Sequence, residues 1–148
     1  MKDKNLVRVG ANVLVCRNNQ VLLSRRANTG WEDGKLCIPG GHSLERERPT
    51  LTAVREIKEE LGLVVKPTRL QFLCVAARNS QPYEFASYEF ILMLKADEKP
   101  YNAEPDRCSE LVWCDPKRLP DDVIHDFRVI IEQGYLKQLP FLEIDYAT

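Results

Sequence analysis

The sequence predicts a single mixed domain of the α/β (α+β) class, a sandwich of strands and helices over residues 1–148. Three observations support this. Runs rich in Val, Leu, Ile and aromatic residues follow one another with Asn-containing turns between them. A helical apolar period appears once in the middle of the chain and once near its C-terminus. A length of 148 residues, 44% of them apolar and 29% charged, is enough to bury a core without disulfide or metal staples.

Residues 6–16 and 20–25 are β-rich and separated by Arg17-Asn18-Asn19, which marks a hairpin. Residues 27–35 hold two glycines and an Asn and read as a loop. The short run Leu36-Cys37-Ile38 then meets Pro39-Gly40-Gly41, a sharp turn that exposes backbone. The first helix begins at Pro49, where a missing N–H costs nothing, and stops at Gly62. Leu51, Val54, Ile57 and Leu61 form its apolar stripe. Strands follow at 69–77 and 84–96, joined by the turn Asn79-Ser80-Gln81-Pro82, with Tyr83, Phe85, Tyr88 and Phe90 as strand packing. Another strand is expected from Glu110 to Cys114. A second helix is expected from about Asp121 to Gln133, with Asp121 and Asp122 at its positive end. Gly134 is its stop, and the tail to Thr148 has little pattern.

Several function classes are disfavoured by composition. The net charge of -1 provides no general field for nucleic acid, so no stable nucleic-acid partner is expected. The five cysteines (16, 37, 74, 108 and 114) are odd in number and lack ligand-like spacing. They read as reduced, structural residues rather than a disulfide frame or zinc site. No apolar run is long enough to cross a bilayer, and the charged N-terminus resembles no secretory signal, so a cytoplasmic location is expected.

The informative segment runs from Gly41 to Leu63. Four glutamates, Glu47, Glu56, Glu59 and Glu60, fall within fourteen residues, three of them within five. On a helix of 100° per residue Glu56, Glu59 and Glu60 span an arc of roughly 100°, expected to face outward, opposite the aliphatic stripe. Like charges four residues apart repel, and a hard divalent cation such as Mg²⁺ offsets the repulsion because it takes oxygen ligands. Arg55, with its planar fork, stands beside the acids and within reach of Glu47 in the preceding loop.

This string resembles the Nudix box, G-x5-E-x7-R-E-U-x-E-E-x-G-U with U aliphatic. All nine specified positions are filled, by Gly41, Glu47, Arg55, Glu56, Ile57, Glu59, Glu60, Gly62 and Leu63. The resemblance implies a mixed central sheet between helices, an α/β/α sandwich. It also implies metal ligands at Glu56, Glu59 and Glu60, joined by the Gly40 carbonyl. Arg55 and Glu47 would serve orientation, with Glu56 as a general base for the attacking water. The implied cofactor is Mg²⁺, with Mn²⁺ as a substitute, and the family-weighted expectation for assembly is a homodimer.

Flanking segments are similar to MutT-type nucleotide hydrolases. They are residues 25–42 and the stretch Asn102-Ala103-Glu104-Pro105-Asp106-Arg107-Cys108 with Glu110 and Trp113 beyond it. Glu104 is the candidate for a further ligand or base, with Glu110 its competitor. Arg25 and Arg26 are candidates for phosphate contacts. Trp31 and Trp113 could stack on a nucleobase, and Gly41 and His42 could touch substrate, whereas His125 has no motif around it. Leu44 and Arg46 depart from the residues usual in the loop before Glu47. They alter no box position but bear on substrate contacts.

The resulting expectation is a Mg²⁺-dependent hydrolase converting a (d)NTP, damaged or modified forms included, to the monophosphate and pyrophosphate. The alternatives are a nucleotide-sugar or ADP-ribose-type pyrophosphatase and a ligand-sensing module without turnover.

Overall fold

The computed structural model describes residues 4–79 and 83–146. Strand β1 (Val7–Arg17) turns through Asn18 and Asn19, both with positive φ (52° and 61°), into β2 (Gln20–Arg26). Asn tolerates that backbone, and two such residues give a turn whose twist matches the strands. Short strands β3 (Leu36–Cys37) and β4 (Gly40–His42) lead to helix α1 (Pro49–Leu61). After a 3-10 turn at Pro67–Arg69 come β5 (Gln71–Arg78), β6 (Glu84–Met93) and β7 (Cys108–Cys114). Helix α2 (His125–Val129) continues into π-helical turns (Ile130–Leu136), and β8 (Phe141–Ile144) ends the order. Of the predicted Asn79–Pro82 turn, residues 80–82 lie outside the described residues.

The strands form one mixed sheet in the order β3-β2-β1-β6-β5-β8, with β4 on β1 and β7 on β2. The β1–β6 and β5–β8 pairs are parallel and the others antiparallel. Period-two alternation splits β1 between two cores. Ala11, Val13 and Val15 pack with Ala53, Ile57 and Leu61 of α1. Leu14 and Cys16 pack with Phe127, Ile130 and Ile131 on the other face. Helices on both faces of a mixed sheet make the α/β/α sandwich expected. All five cysteines are free thiols. Among the described residues no helix is long and apolar enough to cross a membrane.

Four expectations need correction. The buried face of α1 is Thr52, Ala53, Ile57 and Leu61; Leu51 is exposed and Val54 only half-buried. The row Thr52–Glu56–Glu60 therefore runs beside the apolar row and toward the sheet, and only Glu59 is exposed. The second helix starts at His125, because residues before it are held on β3. Leu36 N–H donates to Asp122 O (3.0 Å) and Ile124 N–H to Leu36 O (2.9 Å). Gly134 does not stop the helix; it lets the π-helical turns approach β5, where an added Cβ would stand 2.9 Å from Cys74 Sγ. The tail contains β8, with Leu142 and Ile144 buried and Phe141 and Glu143 exposed.

Candidate active site

Strand β4 lies antiparallel on β1 with Ala11 opposite Gly41 and Asn12 opposite Gly40. Gly41 faces α1: a Cβ there would stand 2.5 Å from Glu56 Oε1 and 2.7 Å from its Cδ. Gly40 faces the other way, where a Cβ would collide with Asn12 Oδ1 and the Ala11 carbonyl. The missing side chain of Gly41 leaves room for Glu56 beneath the strand, and the strand backbone holds Glu60 beside it. Gly40 N–H donates to Glu60 Oε2 at 2.8 Å.

Arg55 is the hub of the acid cluster. Its Nε and Nη2 donate to Glu47 Oε2 and Oε1, both at 2.9 Å, a bidentate fork. Its Nη1 donates to Glu56 Oε1 (2.9 Å) and Glu59 Oε2 (3.3 Å), and Nη2 also reaches the His42 carbonyl (3.0 Å). Glu47 additionally accepts from Thr52 Oγ1 (2.7 Å) and Leu44 N–H (3.1 Å). Arg55 holds the Glu47 carboxyl down at about 2. Glu56 and Glu60 shift in the opposite direction. Burial raises Glu56 against the pull of Arg55, and raises Glu60 well above the ordinary carboxylate range with Glu56 adding to it.

Glu104 reaches this cluster through its loop. Tyr101 N–H donates to Leu61 O (3.1 Å) and Ala103 N–H to Glu60 O (3.0 Å), latching residues 101–103 to the end of α1. Gly62, with φ of 66°, ends the helix and also leaves room for the Tyr101 ring, which a Cβ would strike. Glu104 is half-buried, and burial and the Glu59 charge raise its proton affinity. Its charge is felt in turn by Glu56 and Glu60.

The donor set is made of oxygens alone, crowded and short of positive charge, and suits a hard divalent cation. Among the described residues no three His, Cys, Asp or Glu side chains close on one point as a ready cage. Arg55 draws Glu56 and Glu59 to itself and the Gly40 amide draws Glu60.

The remaining candidates scatter. Arg25 pairs with Glu110 (2.6 Å) and Asp122 (2.5 Å), tying β2 to β7 and the approach to α2 rather than pointing to the glutamates. Arg26 faces the site, and its charge opposes the rise at Glu60. Its guanidinium lies 4.9 Å from the centroid of the half-exposed Trp31, and its Nε donates to the Trp31 carbonyl (2.8 Å). The His42 ring is on the opposite face of β4 from Glu56, edge-on to Phe85 at 5.0 Å. Trp113, opposite Leu22, is half-buried against the α1-side core. Glu110 is occupied by Arg25, which leaves Glu104 as the loop carboxylate at the cluster.

Sequence reasoning missed two features. One is Asn102, whose side chain braces the Glu104 loop. The other is a buried polar chain on the α2 side. In it Arg78 donates to Asp126 (2.6 Å) and Ser87 (2.8 Å), Ser87 to Glu89, and Asn12 to Glu89 (2.9 Å). A glutamate within the otherwise apolar run of β6 was the available signal for it.

The sequence model of the NUDIX domain matches residues 6–133. A MutT NUDIX hydrolase from Burkholderia pseudomallei superposes with a TM-score of 0.77 and 28% identity, over 87% of this chain and 98% of that one. An 8-oxo-dGTP diphosphatase of Proteus vulgaris is 31% identical over 65 residues, which span 44% of this chain and 58% of that protein. A bifunctional NMN adenylyltransferase/ADP ribose pyrophosphatase from Francisella tularensis, complexed with AMP and a manganese ion, shares the fold (TM-score 0.68, 18% identity). That match covers 91% of this chain and 42% of the other. Nudix enzymes generally use divalent metals, in keeping with the oxygen-only donor set. With the domain match covering most of its length, and Glu47, Glu56 and Glu59 of the box held on Arg55, the chain belongs to the Nudix family and is similar to MutT hydrolases.

Proposed function

We propose that the protein hydrolyses nucleoside triphosphates, (d)NTPs with damaged or modified bases included, to the monophosphate and pyrophosphate, with Mg²⁺ as the working cation and Mn²⁺ as a substitute. The observation that carries this reading is the placing of Glu56 and Glu60 against the two β4 glycines, with Glu59 on the same arginine as Glu56 and Glu104 near enough for its charge to bear on both. The similarity to an 8-oxo-dGTP diphosphatase supports the substrate class.

In this reading Glu56, Glu59, Glu60, Glu104 and the Gly40 carbonyl hold the cation, whose contribution is to neutralise phosphate charge and lower the pKa of water. Glu56 accepts the proton of the attacking water. The water oxygen bonds to phosphorus as the bridging P–O bond breaks, and pyrophosphate and monophosphate separate. Arg55, anchored by Glu47, fixes the orientation of Glu56. Arg26 and Trp31, stacked at the rim, meet the phosphate chain and the base.

The test is a Mg²⁺-dependent screen of (d)NTPs, oxidised and methylated (d)NTPs, ADP-ribose and nucleotide sugars. Pyrophosphate is scored directly, and other phosphates after phosphatase treatment. Pyrophosphate from a subset of triphosphates supports the proposal, and turnover confined to sugar or ribose diphosphates replaces it with the alternative enzyme class. Glu60→Gln keeps an acceptor for the Gly40 amide, so it should retain the fold while losing more than about 100-fold in turnover. Near-normal activity removes Glu60 from the site.

A further inference from the structure

We infer that Asn102 is the positioning residue that presents Glu104 to the acid cluster, so that the two act as one unit. The inference rests on the reading of Glu104 as a site carboxylate.

Asn102 stands at the junction between α1 and β7. Tyr101 and Ala103, on either side of it, bond to the last two residues of α1, Leu61 and Glu60. The side chain of Asn102 points into its own loop. Its Nδ2 donates to the Cys108 carbonyl at 2.7 Å, and Cys108 begins β7 opposite Arg26. Its Oδ1 accepts from Glu104 N–H at 3.2 Å. Glu104 O in turn accepts from Arg107 N–H and Cys108 N–H, both at 2.9 Å. One amide side chain thus ties the Glu104 backbone to a strand of the sheet while its neighbours are tied to the helix that carries Glu56, Glu59 and Glu60.

The Glu104 carboxylate has no equivalent support. Among the described residues it makes no ion pair or hydrogen bond, and the charge of the neighbouring Glu59 opposes its ionised form. Repulsion would drive it outward if the backbone beneath it were free to move. Its place beside three like charges therefore depends on main-chain restraint, and Asn102 supplies the only side-chain hydrogen bond to its backbone among the described residues. Truncating Asn102 leaves the bonds from Tyr101, Ala103, Arg107 and Cys108 intact, so the loop should persist with Glu104 misplaced. Displacements of this kind cost enzymes orders of magnitude, and loss of groups that support metal ligands typically costs about 10–100-fold in metal affinity or activity.

A double-mutant cycle on the full chain tests the inference, using Asn102→Ala, Glu104→Gln and both together. It is read by Mn²⁺ affinity without substrate, by kcat and KM separately, and by thermal midpoint. Asn102→Ala is expected to weaken Mn²⁺ binding and kcat by about 10-fold or more with KM little changed and the midpoint near wild type. In the Glu104→Gln background the same substitution should then have almost no further effect. Asn102→Asp keeps the acceptor for the Glu104 amide but loses the donor to Cys108 and adds a negative charge, so kcat should fall less than in Asn102→Ala. Asn102→Ser, too short to span both partners, carries the same cycle if Asn102→Ala fails to fold. Equal losses from the Asn102 substitution with and without Glu104 would overturn the inference while leaving Glu104 in the site. Wild-type Mn²⁺ affinity and turnover in Glu104→Gln would overturn the role of Glu104 and the inference with it.

Discussion

The substitution Gly41→Ala adds one methyl group to a position where the backbone places no demand for glycine, since Gly41 is not among the residues with positive φ. The Cβ would stand 2.5 Å from Glu56 Oε1, 2.7 Å from Cδ and 3.0 Å from Oε2. An ordinary contact of about 3.4 Å requires the carboxylate to withdraw by roughly 0.9 Å, and the strand cannot yield because β4 is held on β1. Glu56 is the flexible partner, so it moves, and its 2.9 Å bond to Arg55 lengthens or breaks. A misplacement of about 1 Å costs on the order of 100-fold in rate, or roughly 2.7 kcal/mol of transition-state stabilisation. The folded state loses at most one charge-assisted hydrogen bond between partly buried groups, about 1.5–3 kcal/mol at most, part of which the shifted carboxylate regains from water. Steady-state kinetics beside thermal unfolding should show kcat/KM falling about 100-fold while the midpoint moves only slightly. Gly40→Ala is the contrast, because its Cβ meets the Ala11 main chain and stability should fall with activity. Activity of Gly41→Ala within threefold of wild type would refute the argument, because the placement of Glu56 would then be irrelevant to turnover.

Other perturbations read the framework. Glu98 is held by Arg69 through bonds of 2.7 and 2.9 Å and by Lys95 N–H at 2.8 Å, which brings its carboxyl down to about 2 from 4.5. A depressed carboxylate contributes stability above its unfolded pKa and loses it as pH falls through the folded one. Glu98→Gln should therefore cost about 1 kcal/mol near neutrality after solvent screening, with the difference from wild type vanishing between pH 4.5 and about 2 in denaturant titrations. A cost unchanged down to about pH 2 would assign the effect to packing instead. Arg78→Met leaves Asp126 and Glu89 buried without their cation and should cost about 3–5 kcal/mol in urea unfolding. A loss under about 1 kcal/mol would mean that the Arg78 charge is not needed to hold the chain together.

Much of the site was legible because box residues are local and their spacing carries the geometry. Arg55 and Glu47 meet as their positions suggest, and Glu104 arrives at the cluster that its flanking motif points to. The orientation of α1 was not legible, because amphipathic reasoning assigns every carboxylate to the solvent side. It fails at Glu56 and Glu60 because Gly41, fifteen residues before Glu56, leaves the space that Glu56 fills, and Gly40, twenty residues before Glu60, offers Glu60 its amide; both appear only once β4 lies on α1. Gly134 misleads for a related reason: a glycine near a helix end reads as a stop, yet here it serves close approach to Cys74. β8 is four residues long, too short for alternation to stand out, and its partner β5 lies more than sixty residues away. Asn102 is one polar residue in a loop, and only the closed fold shows what it holds.

The directions of the proton affinities divide the acids of the box by the charge each has already met. Glu47 is fully answered by the Arg55 fork and is driven down to about 2, so it binds neither proton nor cation readily. Glu56 receives one bond from the same guanidinium, but burial outweighs it and the net direction is upward. Glu60 has only a backbone amide and the charge of Arg26 against burial and the charges of Glu56 and Glu104, and is raised well above the ordinary carboxylate range. Glu104 is raised as well, with Glu59 beside it. The chain thus places one arginine among five glutamates and directs most of it to Glu47. The rest need positive charge from outside the chain, which a divalent metal of the kind Nudix enzymes use can supply. A second arginine within the cluster would satisfy the same carboxylates and compete for the oxygens a cation needs, so the unanswered negative charge of the site is what the proposed metal chemistry requires.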